Sequence, residues 1–324
     1  RPMLLMRKGL NFLDYSVYPR KTYCSNLPIS AQLEPTLRCN LKCTMCVREH
    51  FKQGDMKLEE FKRIINQLDT LVKIHLQGLG EPFLHPDIFE MIDYASSRNI
   101  MVSVITNGTL LNDSFVDKIS KSKLFEIGIS IDATEKKEYE AIRVGANFGR
   151  VIGGVKKLSA ALKGKDTKLF FAVTVMRSNL HMLPDFVRLA HNVGVPRVVF
   201  QRVQTKDDFV SYYKSDFRKS GDFVTHEEVK SVFDSARSLA DSLCVEILFE
   251  EKTVKCLWPW RSLYITWNGD ITPCCMIVDP KSPPIGNILK TPFKVLWNSK
   301  VYRVLRKSLL KRTPIAPCKG CRAI

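Results

Sequence analysis

The sequence predicts an α/β fold, in which a partial (β/α)6 TIM-like barrel precedes a small domain made of a short β-hairpin and a helix. Apolar runs such as "IMVSVITNG" (100–108) alternate about six times with segments of helical periodicity, which indicates parallel βαβ units. Glycine and polar residues follow several of these runs, at the carboxyl ends of strands where barrel enzymes carry their sites. From Cys256 the pattern changes to two short strands, a Pro-rich link and a helix.

The predicted elements follow from apolar spacing, in chain order. A strand at 31–37 runs into a cysteine-rich loop, and apolar residues at helical spacing make 58–72 a helix. A short strand at 73–82 ends in glycines, and the strand at 100–108 is closed by Asn-Gly. The remaining predicted elements are helix 86–98, strand 124–133, helix 149–163, strand 168–176, helix 180–193, strand 196–203, helix 226–242 and a strand near 244–249.

These patterns predict three segments of the chain. Residues 1–30 form a basic and apolar extension, residues 31–249 form the barrel, and residues 250–324 form the small second domain. The extension contains "MLLMRKGLNFL", which fits either a helix packed under the barrel or a segment lying at a membrane interface.

Composition and charge limit the class of protein. The 324 residues are 45% hydrophobic, enough for a large core, and no apolar run approaches the about 20 residues of a membrane span. Ten cysteines occur without a secretion signal, which favours a cytoplasmic protein over a disulfide framework.

The positive charge is concentrated at the end of the chain. The formal charge is +17, and residues 280–324 contain eleven Lys or Arg and no Asp or Glu. Lys300, Arg303, Lys307 and Lys311 share one predicted helix face. They predict either a solvated face or a field that attracts an anionic substrate, a membrane or a nucleic acid, of which the nucleic acid is disfavoured.

Three cysteines crowd the loop after the first predicted strand. "LRCNLKCTMC" (37–46) places Cys39, Cys43 and Cys46 at spacings of four and three. Three thiols cannot pair among themselves without leaving one over, and iron–sulfur ligation is the natural interpretation, with one iron left open. A zinc site that takes His50 as its fourth ligand is the alternative.

This cysteine spacing after a strand resembles the signature of radical S-adenosylmethionine (SAM) enzymes. "GLGEP" (78–82), "TNG" (106–108), "SIDA" (130–133) and "AIRVG" (141–145) resemble further family motifs in the family's order. The resemblance implies a [4Fe–4S] cluster whose open iron chelates SAM. Reductive cleavage of SAM then gives a 5′-deoxyadenosyl radical that abstracts a hydrogen atom. The residues implied to bind the cofactor are Met45, Gly80, Glu81, Asn107, Ser130 and Arg143.

The resemblance also assigns roles to individual residues. Glu81 would accept a hydrogen bond from the cofactor's ammonium group, and Arg143 would donate to its carboxylate. Ser130 occupies the position that binds the ribose or carboxylate. Met45 stands where the family often has an aromatic residue packed on the adenine.

The last part of the chain resembles the SPASM/twitch extension of the same enzymes. Its cysteines are Cys256, Cys274, Cys318 and Cys321, and Gly269 lies five residues before Cys274. The resemblance implies the shorter twitch form, with a second, fully ligated [4Fe–4S] cluster. Because Cys275 is adjacent to Cys274, the identity of the second of the four cluster ligands stays open, although the spacing after Gly269 favours Cys274. Zinc is again the alternative.

The expected function is a radical SAM oxidoreductase, because a fully ligated cluster suits electron relay during substrate oxidation. We expect a small, possibly anionic, substrate such as a sugar, a cyclitol or a nucleotide-like molecule. The alternatives are a peptide or protein maturase and an enzyme that modifies a membrane lipid or RNA. Glu250, Arg261 and Tyr264 are the candidate acid–base residues. The expected electron donor is a flavodoxin or ferredoxin.

Overall fold

The computed structural model describes residues 8–9, 11, 20–203, 215–219, 221–249, 256–275, 284–316, 318–319 and 321. The chain divides into two compact units. The first comprises Arg1–Arg38, His50–Val102 and Lys252–Ile324, and the second comprises Cys39–Glu49 and Ser103–Glu251. The segment predicted as a separate small domain therefore belongs to the same unit as the first two strands.

The strands, in chain order, are β1 (Ser30–Leu33), β2 (Lys73–Leu76), β3 (Met101–Thr106), β4 (Glu126–Ser130), β5 (Lys168–Val175), β6 (Arg197–Arg202), β7 (Glu246–Phe249), β8 (Ser262–Ile265), β9 (Asp270–Thr272) and β10 (Gly286–Asn287). The α-helices are α1 (Leu58–Gln67), α2 (Ile88–Ser97), α3 (Asp113–Lys121), α4 (Lys136–Ile142), α5 (Phe148–Leu162), α6 (Leu183–Val193), α7 (Ser215–Lys219), α8 (His226–Ser242), α9 (Trp258–Arg261), α10 (Phe293–Trp297) and α11 (Lys300–Leu310).

In the first unit the strand order is β10-β9-β8-β1-β2. β1 is parallel to both of its neighbours, so that Leu33 lies opposite Leu76 of β2 and Ile265 of β8. β8, β9 and β10 pair antiparallel, which gives the hairpin that the sequence predicts. The parallel pairing of β8 with β1 was not part of the prediction. It brings the carboxyl end of β8 beside the carboxyl end of β1.

In the second unit β3, β4, β5, β6 and β7 follow one another in sequence order, and all are parallel. Their central residues are almost inaccessible, as Val104, Ile127 and Phe171 illustrate. Strands buried on both faces read as continuous apolar runs, which is why the sequence pattern found them. The predicted α/β class is confirmed, because parallel strands alternate with helices in both units.

The helices form because their apolar residues recur at spacings of three and four. In α1, Phe61, Ile64 and Ile65 are buried. Polar side chains fix several helix starts: Asn112 accepts from the backbone N–H of Phe115, and Thr225 forms a capping box with Glu228.

The sequence predicts no membrane-spanning segment, and it leaves open a contact between the amino-terminal extension and a membrane interface. Among the described residues, no helix is both long enough and apolar enough to cross a bilayer. Most of the extension lies outside the described residues, but Lys8 does not. Its ammonium donates to the carbonyls of Arg98 and Asn99 at 3.0 and 2.9 Å, and the residue is 7% exposed. Lys8 therefore serves as a buried cap for the end of α2, and it does not provide the headgroup contact expected at an interface.

Candidate functional site

The first cysteine loop is anchored by its own apolar residues. Leu41 and Val47 are buried, while the three cysteines between 39 and 46 are partly exposed. Backbone N–H groups of Lys42 and Thr44 donate to the carbonyls of Val144 and Ile142 at 2.9 and 3.0 Å. The loop is thus held along the segment that follows α4, and its thiols are left near the surface of the second unit.

The turn after β3 binds the start of this loop. The Asn107 side-chain amide donates to Oδ1 of Asn40 at 2.9 Å and lies 3.9 Å from Sγ of Cys39. Oδ1 of Asn107 accepts from the backbone N–H and the hydroxyl of Thr109 at 2.9 and 2.7 Å. The "TNG" turn therefore orients the Asn107 amide toward a predicted cluster ligand.

A buried ion pair lies behind the loop. Nη2 of Arg143 is 2.6 Å from Oδ2 of Asp132, and the two side chains are 9% and 0% exposed. Burial opposes the charge on Arg143, but Asp132, Cys43 and Tyr139 outweigh it, so that its pKa is raised. Oδ1 of Asp132 accepts from the backbone N–H of Thr174 at 2.8 Å.

Sequence reasoning named Arg143 but missed its partner. Asp132 stands inside the quoted "SIDA" motif, and its position near the carboxyl end of an apolar run was the available signal. Ser130, the last residue of β4, and Met45, in the turn of the cysteine loop, are both half-buried in the same unit.

The three thiols are close enough to influence one another electrostatically. Burial raises the pKa of Cys43 to about 11; Arg143 lowers it, and Cys46 and Cys39 raise it further. A thiol of this kind is protonated at neutral pH, and a bound metal must displace its proton. Among the described residues, no three Cys, His, Asp or Glu side chains meet closely enough to share a single metal ion.

Buried donors without partners indicate that the loop fits an anionic group. Nε of Arg143, the hydroxyl of Tyr139, and Nε and Nη1 of Arg48 are buried with no hydrogen-bond partner among the described residues. Arg48 follows Cys46 by two residues, and sequence reasoning missed it. Orphaned donors beside three thiols suit an iron–sulfur cluster together with a carboxylate-bearing cofactor.

The "GLGEP" loop belongs to the first unit and follows β2. Glu81 is 2% exposed, its N–H donates to the carbonyl of Arg38 at 2.8 Å, and its Oε1 accepts from the N–H of Phe83 at 3.1 Å. A Cβ atom at Gly80 would stand 2.3 Å from the carbonyl oxygen of Thr36. Only glycine therefore lets this loop approach the strand that leads to the cysteines.

A buried carboxylate that the sequence did not reveal joins two loops and strand β8 of the first unit. Oε1 of Glu34 accepts from the Leu79 N–H at 3.2 Å and from the Tyr264 hydroxyl at 3.1 Å, and Oε2 accepts from the Trp267 N–H at 3.4 Å. Burial raises the pKa of Glu34 to about 7, and these three donors lower it. A Cβ at Gly78 would lie 2.3 Å from Oε1 of Glu34.

Tyr264 therefore has a defined partner. It is 2% exposed, and burial, together with Glu34 and Cys275, raises its pKa well above the usual value. The hydroxyl remains protonated at neutral pH, so Tyr264 acts as a donor to Glu34 and cannot itself accept a proton in its ground state. In the sequence, Glu34 is visible only as a single acidic residue directly after the first strand, whose residues alternate between buried and half-buried in the structure.

The other two acid–base candidates are placed differently. Arg261 ends α9, and its carbonyl accepts from the N–H of Ile29 at 2.9 Å. It therefore stands at the amino end of β8. Glu250 lies outside the described residues.

In the carboxyl-terminal set, the structure brings Cys274 and Cys318 together. Cys274 packs with Leu305 and Leu309 of α11 around the buried Cys318, and the N–H of Cys321 donates to the carbonyl of Cys318 at 3.2 Å. Cys275 instead contributes to the raised pKa of Tyr264, so the two adjacent thiols influence different groups. Cys256 is half-buried at the start of its segment.

Two buried donors lie on α11, the helix whose Leu305 and Leu309 pack with this second set. The Tyr302 hydroxyl and Nη2 of Arg306 are buried with no hydrogen-bond partner among the described residues. Burial raises the pKa of Tyr302, Arg306 lowers it, and Cys24 and Cys274 raise it. Arg306 lies over the rings of Trp297 and Tyr302, at 4.3 and 4.6 Å from their centroids. Arg306 is therefore enclosed by aromatic rings, and Tyr302 is the donor that Cys274 influences electrostatically.

Comparison with known protein families defines the class of protein. The family model described as the radical SAM superfamily matches residues 33–200, more than half of the chain, and the model described as an iron–sulfur cluster-binding domain (SPASM) matches residues 256–322. The chain belongs to the radical SAM superfamily and is an enzyme. Its cofactors are a [4Fe–4S] cluster, SAM and auxiliary iron–sulfur.

Several known proteins are similar to this chain over most of its length. The subtilosin biosynthesis protein AlbA of Bacillus subtilis is 27% identical over 86% of this chain and 61% of its own length. The AdoMet-dependent heme synthase of Methanosarcina barkeri is 26% identical over 92% of each chain. The structure of Streptococcus suis SuiB bound to its precursor peptide SuiA matches with a TM-score of 0.72 and 16% identity, over 86% of this chain and 66% of SuiB. The present chain thus spans less than two thirds of AlbA and of SuiB.

Proposed function

We propose that this chain is a radical SAM oxidoreductase that modifies a peptide, with one auxiliary [4Fe–4S] cluster held by Cys256, Cys274, Cys318 and Cys321. The observation that carries the proposal is the unequal size of the two cysteine sets. Three thiols on one loop leave a coordination position for a cofactor, whereas four thiols close a cluster.

Cys39, Cys43 and Cys46 would hold the first cluster, with Met45 against the adenine and Ser130 toward the ribose or carboxylate. When bound, the cluster and SAM supply a radical that removes a hydrogen atom from the substrate, and the auxiliary cluster supplies a place for the remaining electron. The protein's contribution is to orient these groups and keep water away from them.

The polar residues of the second unit orient the first cluster and its cofactor. Asn107 holds the start of the cysteine loop, and its amide offers Cys39 a weak donor. Arg143 is held by Asp132 through Nη2, so the group it can offer a carboxylate is Nε. In the first unit, Gly80 and Glu81 would receive the cofactor's ammonium group.

Glu34 is a positioning residue in this proposal. It holds Leu79, which directly precedes Gly80 and Glu81, and Trp267, in the turn between β8 and β9. A single carboxylate therefore fixes the loop assigned to the cofactor and the turn that precedes β9, the strand after which Cys274 follows. Because its pKa is near 7, Glu34 is also able to hold or release a proton at Oε1 under working conditions.

The choice of substrate rests on two relatives. AlbA is named for bacteriocin biosynthesis, and SuiB is solved with its precursor peptide. This support displaces the sugar, cyclitol or nucleotide-like substrate as the first choice. A small-molecule substrate is the second candidate, favoured by the match to the heme synthase over 92% of each chain.

The test uses the full chain, reconstituted anaerobically and reduced with dithionite. Production of 5′-deoxyadenosine from SAM tests the radical chemistry, and mass spectrometry of a synthetic peptide library tests the substrate. Peptides that lose the mass of two hydrogen atoms support the proposal. Formation of 5′-deoxyadenosine that rises with a tetrapyrrole, and not with any peptide, would favour the small-molecule candidate.

A further inference from the structure

Helix α11 carries an exposed face that combines cations with apolar side chains. Lys300, Arg303 and Lys307 are exposed on it, and none of the ion pairs found among the described residues involves them. Val301 and Val304 on the same helix are 56% and 46% exposed. Val295 of the preceding α10 is 60% exposed. A helix that only solvates its outer surface has no need of exposed valines between its cations.

The opposite face of the same helix packs on the carboxyl-terminal cysteines. Leu305 is buried against Cys318, and Cys274 and Leu309 complete that cluster. An α-helix with its side chains is about 10 Å across. A protein resting on the exposed face of α11 would therefore lie roughly one helix diameter from these two thiols.

We propose that the exposed face of α11 docks an acidic one-electron carrier protein, which exchanges electrons with the auxiliary cluster. This inference rests on the proposed function, because it assigns that cluster to Cys274 and Cys318. Charge complementarity argues for an acidic partner, since residues 280–324 contain no Asp or Glu to offset their cations. The valines supply the small apolar centre that a weak redox encounter uses, and the surrounding cations steer the approach.

The electron balance of the encounter is simple. A carrier with a reduced flavin or iron–sulfur centre loses one electron, and the auxiliary cluster gains one. In the reverse direction a cluster that holds an extra electron returns to its resting state, and an oxidised carrier is reduced. No bond is formed or broken, and no other reactant is needed.

The experiment measures complex formation between the reconstituted full chain and a purified acidic flavodoxin, by calorimetry at low and physiological salt. The variant changes Lys300, Arg303 and Lys307 to Gln. The matched control makes the same change at three cations of the second unit that are also exposed, Lys156, Lys163 and Lys165. The α11 variant is expected to weaken binding at least about tenfold at low salt, whereas the control leaves it unchanged. Val304→Gln should weaken binding by a smaller factor and leave the salt dependence unchanged.

Stopped-flow spectroscopy then follows reduction of the clusters by reduced flavodoxin and, separately, by dithionite. Slower reduction of the α11 variant by flavodoxin, with unchanged reduction by dithionite, supports the docking site. Equal weakening by the control triple overturns it, as does α11-dependent binding to phosphatidylglycerol vesicles without flavodoxin binding. If the chain holds only one cluster's iron, the proposed function fails, and the binding measurement still decides the docking surface.

Discussion

The two cysteine sets lie in surroundings of opposite character. Cys43 is backed by the buried pair of Arg143 and Asp132, and Cys39 faces the amide of Asn107. Cys274 and Cys318 pack among the leucines of α11. A site that admits a charged cofactor needs polar walls, whereas a fully ligated cluster needs mainly to be enclosed. Under the proposed function, the contrast corresponds to one cluster that stays accessible to a cofactor and one that is enclosed.

The strongest test of this contrast removes the first set. Changing Cys39, Cys43 and Cys46 together to Ala should lower the iron content from about eight to about four atoms per chain and abolish SAM cleavage. The control is Cys244→Ala, an exposed cysteine outside both sets. Iron and sulfide analysis with assay of 5′-deoxyadenosine gives the answer. Loss of all iron from the triple variant would show that the two sets are not independent.

The second set is tested by its adjacent thiols. Cys274→Ala should remove about four irons and leave SAM cleavage intact, because Cys274 packs on Cys318. Cys275→Ala, the matched control, should retain both clusters, because Cys275 is not among the residues that pack with Leu305 and Cys318. Mössbauer spectroscopy and iron analysis distinguish the two variants. The opposite result would assign the ligand to Cys275.

The polar wall of the first set predicts a stability difference. Arg143→Ala leaves Asp132 buried and unpaired, so the free energy of unfolding should fall by about 3–5 kcal/mol. Arg188→Ala breaks an exposed pair with Asp185 and should cost about 0–1 kcal/mol. Urea denaturation measures both. Equal effects of the two variants would show that the buried pair has no special importance.

The smallest expected effect is a change in pH dependence. Folded Glu34 keeps its proton to about pH 7, while its ordinary pKa is 4.5. Its contribution to stability is therefore full below pH 4.5 and is lost as the pH rises through about 7. Glu34→Gln should remove up to about 3 kcal/mol of this dependence, at about 1.4 kcal/mol per tenfold change in proton affinity.

Urea denaturation of both proteins at about pH 4 and about pH 8 brackets that window. Glu246→Gln, at an exposed carboxylate of β7, is the control. Parallel pH profiles for wild type and Glu34→Gln would show that Glu34 ionises normally.

Much of the fold was predictable from local patterns, because buried parallel strands and amphipathic helices each leave a periodic trace. The cysteine spacings and the ordered motifs also located the candidate site. The pairing of β8 with β1 was not predictable, since the partners are more than two hundred residues apart and no local pattern records which edge a short strand joins.

For the same reason, the sequence did not show which side chains of the site bind one another. The Arg143 fork was visible in "AIRVG", but its engagement by Asp132 depends on burial. The preference for Cys274 over Cys275 followed from a glycine spacing, and the contact with Cys318 is independent support that only three-dimensional packing provides. Glu34 appeared as a single acidic residue, and its three donors come from segments remote in sequence.

The close approach of Glu34 to Gly78 restricts which substitutions the two positions accept during evolution. The carboxylate fills the space that a side chain at residue 78 would occupy, so the two positions cannot change independently. In descendants of this chain, a larger residue at position 78 is expected only together with a shorter one at position 34. Residues 34 and 78, which are forty-four positions apart in the sequence, should therefore vary together. This covariation would identify the contact between the ends of β1 and β2 in related chains whose structures are unknown.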